Sequence, residues 1–327
     1  MIYFILAIII LLLILLGATY YCYNRVFVFG KNENRDPTIL LEGEQYEALK
    51  DRILPLVEDA IEIPYENLYT RSFDGYRLHA AYYEVDPAAP VEIMIHGYKS
   101  IAIRDFSGGL QYTLKKGHNV LLIDQRAHGK SEGRCLTFGI LERRDCLSWA
   151  NYIIKRNGPD TKIILLGISM GAATVLMTSE LNMPENIIGI IADSAYTSPK
   201  EIICDVIDGM KLPHALVYPL VKLGARIFGR FDLEECSAEE AVKNCRVPVY
   251  FIHGEDDRYV PCEMGLRNYR ACVSEKILLT VPDAGHGLGF LLDIKGYDEA
   301  RTRFEEKVYE NASKKEIKNP ENTFIIS

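Results

Sequence analysis

Gly167-Ile168-Ser169-Met170-Gly171 stands between the apolar run Lys162-Ile163-Ile164-Leu165-Leu166 and the segment Ala172-Ala173-Thr174-Val175-Leu176-Met177. A short run of that kind predicts a buried strand, and the segment after it a helix. Gly-x-Ser-x-Gly at a strand-to-helix junction is the signature of a nucleophile elbow, a strained turn that lifts the serine hydroxyl above the end of a parallel sheet. Side chains two residues to either side of the serine would collide across so sharp a turn, which is the steric reason for both glycines. Glycine and serine are common, so the pentapeptide takes its meaning from the strand and helix around it. The rest of the chain must supply partners for Ser169.

The flanking pattern extends the same reading. Residues 68–73 and 77–85 surround Asp74-Gly75, a strong hairpin signal. Apolar runs at 91–95, 120–123, 163–166, 187–191, 247–252 and 276–281 then alternate with helical stretches. Such alternation predicts βαβ units, hence an α/β domain built on a mostly parallel eight-stranded sheet with helices on both faces. One insertion, at about 196–240, breaks the alternation. Ser198-Pro199-Lys200-Glu201 is a good helix start, with a serine cap, a proline at the first position and a glutamate to reach back. Residues 213–228 are rich in Leu, Val, Tyr and Ile and are interrupted by Pro219. The insertion reads either as an extra packing pair or as a small lid, with Leu216, Leu220 and Leu223 as candidates to face an acyl chain. Helical periodicity does not separate the two.

The N-terminus has a different character. Residues 1–23 carry no charged side chain, and 2–16 are nearly all Ile and Leu. That is long enough to span a bilayer, with Tyr20, Tyr21 and Tyr23 placed for an interface. A cleaved secretory signal fits less well, because no basic region precedes the apolar run and no small-x-small site follows it. A single uncleaved anchor is expected. Arg25, Lys31 and Arg35 follow it, with the acidic Glu33 and Asp36 close by. The positive-inside rule then puts the C-terminal bulk in the cytoplasm, since acidic residues count for little in that rule. Eight cysteines without regular spacing read as free thiols rather than a disulfide framework, and none forms a CxxC zinc pair. An apolar content of 48% and a charged content of 25% describe an ordinary globular chain. The net charge of -8 argues against a nucleic-acid partner. The expected division is an anchor at 1–23, a tether and helix (around 45–57) at 24–65, the main domain at 66–314 and a tail at 315–327.

A serine hydroxyl is a poor nucleophile at neutral pH and needs a base, which in turn needs an orienting acid. In a sheet of this kind the acid and then the histidine follow the serine, each on a loop after a strand. His286, in Pro282-Asp283-Ala284-Gly285-His286-Gly287 beyond the last strand, is the candidate base. The acid is Asp256 or Asp257, in His253-Gly254-Glu255-Asp256-Asp257-Arg258-Tyr259-Val260-Pro261. An oxyanion hole needs two backbone N–H groups. Met170, after the nucleophile, supplies one. The turn His96-Gly97-Tyr98-Lys99-Ser100 after the 91–95 strand makes Tyr98 the second. His96 precedes the serine and is read as structural.

These motifs together resemble the α/β hydrolases over about Glu66 to Ser313, and in particular bacterial hydrolases, membrane-anchored and soluble, grouped as serine-aminopeptidase-like or esterase-like. His-Gly-x-x-Asp-x-x-Val-Pro is how the acid loop of many such enzymes reads, and the resemblance puts Asp257 in the aspartate slot. Asp124-Gln125-Arg126-Ala127-His128-Gly129-Lys130-Ser131-Glu132-Gly133 matches a loop that, in the group, shapes the turn behind the active site. The resemblance therefore implies structural roles for Asp124, Arg126 and His128. It also implies a serine hydrolase with the triad Ser169, Asp257 and His286, acting on carboxylic esters of acyl or lipid-like character. Two rivals stand beside this reading. An aminopeptidase-like enzyme would need Glu201, Asp205 or Asp208 to hold a substrate ammonium, and a membrane-tethered binding domain would do no chemistry. Serine, imidazole, carboxylate and two amides suffice for the chemistry, so no metal or organic cofactor is implied.

Overall fold

The computed structural model describes residues 1–29, 36–40 and 43–318. Lys31, Glu33 and Arg35 of the orientation argument, and 319–327 of the expected tail, lie outside the described residues. Eight strands form one sheet in the order β1-β2-β4-β3-β5-β6-β7-β8. They are β1 Glu66–Arg71, β2 Arg77–Tyr83, β3 Val91–Ile95, β4 Asn119–Asp124, β5 Ile163–Ile168, β6 Ile187–Asp193, β7 Val249–Gly254 and β8 Lys276–Val281. β2 pairs antiparallel with both β1 and β4, and every pairing from β4 through β8 is parallel. The Asp74-Gly75 turn closes the leading hairpin with Gly75 at φ 94° and the Ser72 hydroxyl accepting from Tyr76 N–H.

The central strands read as unbroken apolar runs because both faces are covered. Along β3, Ile93 and Ile95 point into one core and Met94 into the other; along β5, Leu165 and its neighbours Ile164 and Leu166 divide in the same way. The first core is closed by α4 (Glu142–Asn157, after α1 Ile2–Phe27, α2 Lys50–Glu62 and α3 Ser107–Lys115) and by α5 (Met170–Thr178). α3 and the last helix close the second, the insertion supplying α6 (Pro199–Gly209) and α7 (His214–Gly224), followed by α8 (Cys262–Ala271) and α9 (Ile294–Lys318). The parallel strands all end at one edge, and the loops beyond that edge carry the motifs picked out above.

α1 is long and apolar enough to cross a membrane, with a mean hydropathy of 3.0 over its most apolar window. It runs on past Tyr23 to Phe27, and its last two turns belong to the domain core. Thr19, Tyr23 and Phe27, spaced four residues apart on one face, are buried. A Cβ on Gly224 of α7 would lie 2.9 Å from Tyr23 Cβ and 3.0 Å from Thr19 O, so the glycine allows the two helices to touch. Phe27 stacks edge-on against Phe138 and Phe231. In the stretch before β1, the helix expected around 45–57 is a short turn, Glu44–Glu47, followed by α2.

The insertion begins as its sequence requires. Ser198 caps α6 by accepting from Glu201 N–H at 3.1 Å, with Pro199 at the first position. The Glu201 carboxylate does not reach back to the cap; it bonds Thr197 Oγ1 and Arg267 instead. α7 tolerates Pro219 and continues into a π turn, Ala225–Gly229. Leu216 and Leu223 point outward, 72% and 38% exposed, and Leu220 is half-buried.

Candidate active site

Ser169 sits at φ 57°, ψ -118°, a backbone conformation that costs roughly 1–3 kcal/mol for any residue with a side chain. Packing enforces it. A Cβ on Gly167 would fall 2.2 Å from the Gly171 backbone, and one on Gly171 only 1.8 Å from Ile95 O, so neither position admits another residue. β5 thus ends in the tight strand-turn-helix that the pentapeptide predicts, and Ser169 N–H is fixed by donating to Asp193 O at 2.8 Å. Gly97 packs against it, with a built Cβ 3.4 Å from Ser169 Cβ.

The loops after β7 and β8 bring the other two candidates together. His286 Nδ1 lies 2.7 Å from Asp257 Oδ2. Asp257 is 8% exposed and its other oxygen accepts from Tyr259 and Val260 N–H, whereas Asp256 faces solvent. Burial would push the Asp257 carboxyl up, but hydrogen bonds from His253 and His286, with the Val260 N–H, more than offset this and hold it well below the usual carboxylate range. A carboxylate so held is an acceptor, which leaves the proton on His286 Nδ1 and the lone pair on Nε2. Among the described residues neither Ser169 Oγ nor His286 Nε2 has a hydrogen-bond partner. The two loops nevertheless abut: a Cβ on Gly287 would lie 3.5 Å from Ile168 Cγ2.

Several residues that the sequence reading passed over hold this arrangement. Asp193 and Ser194, at the end of β6, brace both sides. Asp193 O receives the Ser169 N–H, and Ser194 Oγ receives the Gly287 N–H at 3.3 Å. Ser194 takes φ 59° to do so. Tyr46 donates to His286 O at 2.9 Å, and Gln45 to Asp256 O at 3.0 Å, so the Glu44–Glu47 turn holds both the histidine loop and the acid loop. His253 Nε2 donates to Val260 O at 2.9 Å and lies 3.4 Å from Asp257 Oδ2.

Asp193 is itself buried, its Oδ1 accepting from Ser194 Oγ at 2.9 Å. Burial pushes its carboxyl up to about 6, against the Ser194 hydrogen bond and the nearby imidazoles of His253 and His286. Between the ordinary carboxylate range near 4 and this value, the folded chain keeps a proton that the unfolded chain has released, so stability falls as pH rises through that window. Asp193→Asn is therefore expected to be more stable than the parent at pH 8 by about 1–3 kcal/mol, with the advantage shrinking to nothing near pH 4. Thermal midpoints of the two chains across that range test it; a difference that does not change with pH would refute it.

The two expected oxyanion donors come from two loops that meet at Ser169. Met170 N–H opens α5, and Tyr98 follows Gly97 in the loop after β3; among the described residues neither N–H donates to a backbone carbonyl. Asp105 shapes this loop by accepting from Gly97 N–H at 2.9 Å and from the Ser100 hydroxyl. The far end of the loop is tied to α1, where Tyr98 Oη donates to Val26 O and Lys99 Nζ to Arg25 O, both at 2.8 Å.

Asp205, on α6, faces solvent, and the other remaining candidates are engaged elsewhere. His96 is buried, with Nδ1 2.8 Å from Gly97 O and Nε2 accepting from Gln125 N–H. Asp124 pairs with His79, Arg126 with Asp145 and Asp74, and His128 Nδ1 with Arg126 O, so this loop is knitted to the sheet behind the serine. Glu201 is paired with Arg267, and Asp208 with His214. Glu92, His118 and Glu305 lie close enough to share an ion, but Arg301 pairs with both glutamates and supplies the positive charge there.

The α/β-hydrolase fold family matches this chain over residues 93–218. The uncharacterized protein YqkD of Bacillus subtilis is 23% identical over 269 residues, spanning 82% of this chain and 86% of its own. Lysophosphatidylserine lipase ABHD12 of Danio rerio is 27% identical over 213 residues, 62% of this chain and 51% of that one. Among solved structures, the esterase Pf2001 of Pyrococcus furiosus superposes with a TM-score of 0.61 at 23% identity, covering 76% of this chain and 92% of that one. Sheet order, elbow and these likenesses together give the chain the α/β-hydrolase fold. Esterases are among its structural neighbours.

Proposed function

We propose that this chain is a membrane-anchored serine esterase that cleaves carboxylic esters through an acyl-enzyme on Ser169. The observation that carries the reading is the 2.7 Å contact of His286 Nδ1 with the buried Asp257, on a loop braced through Ser194 and Asp193 to a serine in an elbow conformation. In this reading His286 Nε2 takes the hydroxyl proton as Ser169 Oγ attacks the ester carbonyl. The developing oxyanion is received by the Met170 and Tyr98 N–H groups. The alcohol leaves with the proton from His286, which then draws a proton from water to release the acid. The missing Ser169–His286 hydrogen bond fits a resting site, since such bonds often tighten only when substrate binds.

A lipid-like acyl substrate suits the apolar anchor, and a relative named as a lysophosphatidylserine lipase supports that choice. The anchor reading itself draws on Thr19, Tyr23 and Phe27, because cleavage of α1 as a leader would strip these residues from the core. With Arg25 after it, α1 would leave the domain on the cytoplasmic side. The aminopeptidase reading is the weaker one, as Glu201 is paired with Arg267 and Asp208 contacts the His214 imidazole, which leaves the exposed Asp205 to hold a substrate ammonium. Turnover of p-nitrophenyl acyl esters of rising chain length, set beside aminoacyl-anilides, tests the choice. Ester hydrolysis with at least about a hundredfold preference over anilides is expected, on the scale by which a substrate-specific contact discriminates. Faster anilide cleavage would overturn it.

A further inference from the structure

The outer face of α7 is apolar and, among the described residues, exposed. Leu216, Pro219 and Leu223 recur on it at three- and four-residue steps, with Leu212 just before the helix and Ile227 in the π turn after it, and all are exposed. A soluble domain seldom presents such a stripe to water. Its position relative to α1 says what covers it. Gly224 touches α1 at Thr19 and Tyr23, and Phe228 packs edge-on against Tyr20 with the rings 5.1 Å apart. Leu223 and Ile227 therefore stand at the level of Tyr20 and Tyr21, the exposed aromatic residues at the end of the apolar run. In a spanning helix such tyrosines lie at the headgroup layer. The exposed apolar surface of α1 thus meets the stripe where Gly224 and Phe228 touch α1, and Lys211 and Arg230, both exposed, stand at the two ends of the stripe where anionic headgroups would meet them.

We propose that the Leu212–Ile227 stripe is a second membrane-seated surface, lying in the interfacial layer of the leaflet from which α1 emerges. Its occupant is the phospholipid bilayer. The inference rests on the anchor reading and adds an orientation to it. A helix with one apolar face and flanking cations settles at this depth without spanning. From Leu16, the end of the Ile/Leu run, to Val26, the carbonyl that receives the Tyr98 hydroxyl, the helix rises roughly 15 Å. α1 and α7 together then hold the mouth beside Tyr98 and Ser169 at the membrane surface, and an acyl ester reaches it from the leaflet rather than from bulk water.

The test uses the full chain reconstituted in phosphatidylcholine–phosphatidylglycerol vesicles whose acyl chains are brominated near the headgroup. Trp149, the single tryptophan, is fully buried and gives a constant background. Leu216→Trp and Leu223→Trp report the stripe. Val273→Trp, at a 68% exposed position just before β8 and so at the opposite end of the sheet, is the control. At least about twofold quenching of the added emission is expected for the two stripe variants and none for the control, as for side chains buried a few ångströms into the acyl boundary. Chains that float with the vesicles while both stripe variants stay unquenched would overturn the seating and leave the anchor intact. Chains that fail to float would remove the anchor and the proposal together.

Discussion

Ser169→Ala is expected to lower kcat/KM for p-nitrophenyl esters by about 10⁴–10⁶-fold and to abolish labelling by a fluorophosphonate, while leaving the thermal midpoint nearly unchanged. The separation of the two effects follows from the backbone. The strain at φ 57° belongs to any residue with a Cβ, so alanine inherits it and the fold neither gains nor loses much. What disappears is the oxygen, and with it the covalent route. Asp257→Asn should cost on the order of 10⁴ in kcat, because an amide can donate to His286 Nδ1 and so favours the tautomer with its proton on Nε2. Residual turnover by Ser169→Ala within tenfold of the parent would place the chemistry elsewhere. Labelling that persists in that variant would identify a different nucleophile.

Much of this site was legible because its demands are local. Gly167 and Gly171 announce a turn that no other residue fits, and the apolar runs around it name their strands. His286 follows from chain order. Asp257 did not follow from the residues alone, since Asp256 is its neighbour and its chemical twin; resemblance chose between them, and burial separates them in the fold. The supports were illegible for a physical reason. Asp193 and Ser194 end an apolar strand far from the other motifs, and their importance lies in which carbonyl and hydroxyl they aim across the sheet edge. No periodicity encodes that aim. Tyr46 reaches the histidine loop and Gln45 the acid loop, each from more than 200 residues away in sequence.

The insertion shows the complementary limit. Leu216, Leu220 and Leu223 share a helix whose apolar pattern is plain, but an amphipathic pattern gives the width of the apolar face, not what it faces. Here Tyr218, Val221 and Gly224 turn inward while Leu216 and Leu223 turn out. The same ambiguity hid the end of α1. Thr19, Tyr23 and Phe27 mark one face at four-residue steps, yet the stretch they continue, 1–23, has no charged residue to set that face off.

That stripe leads to the second large effect. Phe27→Ala is expected to destabilise the domain by about 3–5 kcal/mol, a fall in thermal midpoint of roughly 10 °C for a domain of this size. The ring is fully buried, in contact with Phe138, Phe231 and Tyr23, and the Phe27 carbonyl accepts from Leu136 N–H at 3.0 Å. Phe27→Leu, which keeps most of the volume, should recover the larger part of the loss. Truncation sharpens the contrast. A chain beginning at Ala18 loses only the exposed apolar run and should fold and hydrolyse soluble esters. A chain beginning at Val28 loses Thr19, Tyr23, Phe27 and the Val26 carbonyl that steadies Tyr98, and should be unstable and inactive. If both truncations melted at the same temperature with the same activity, the end of α1 would be a tether alone. If only the longer survives, the end of α1 is part of the folded domain and not a tether.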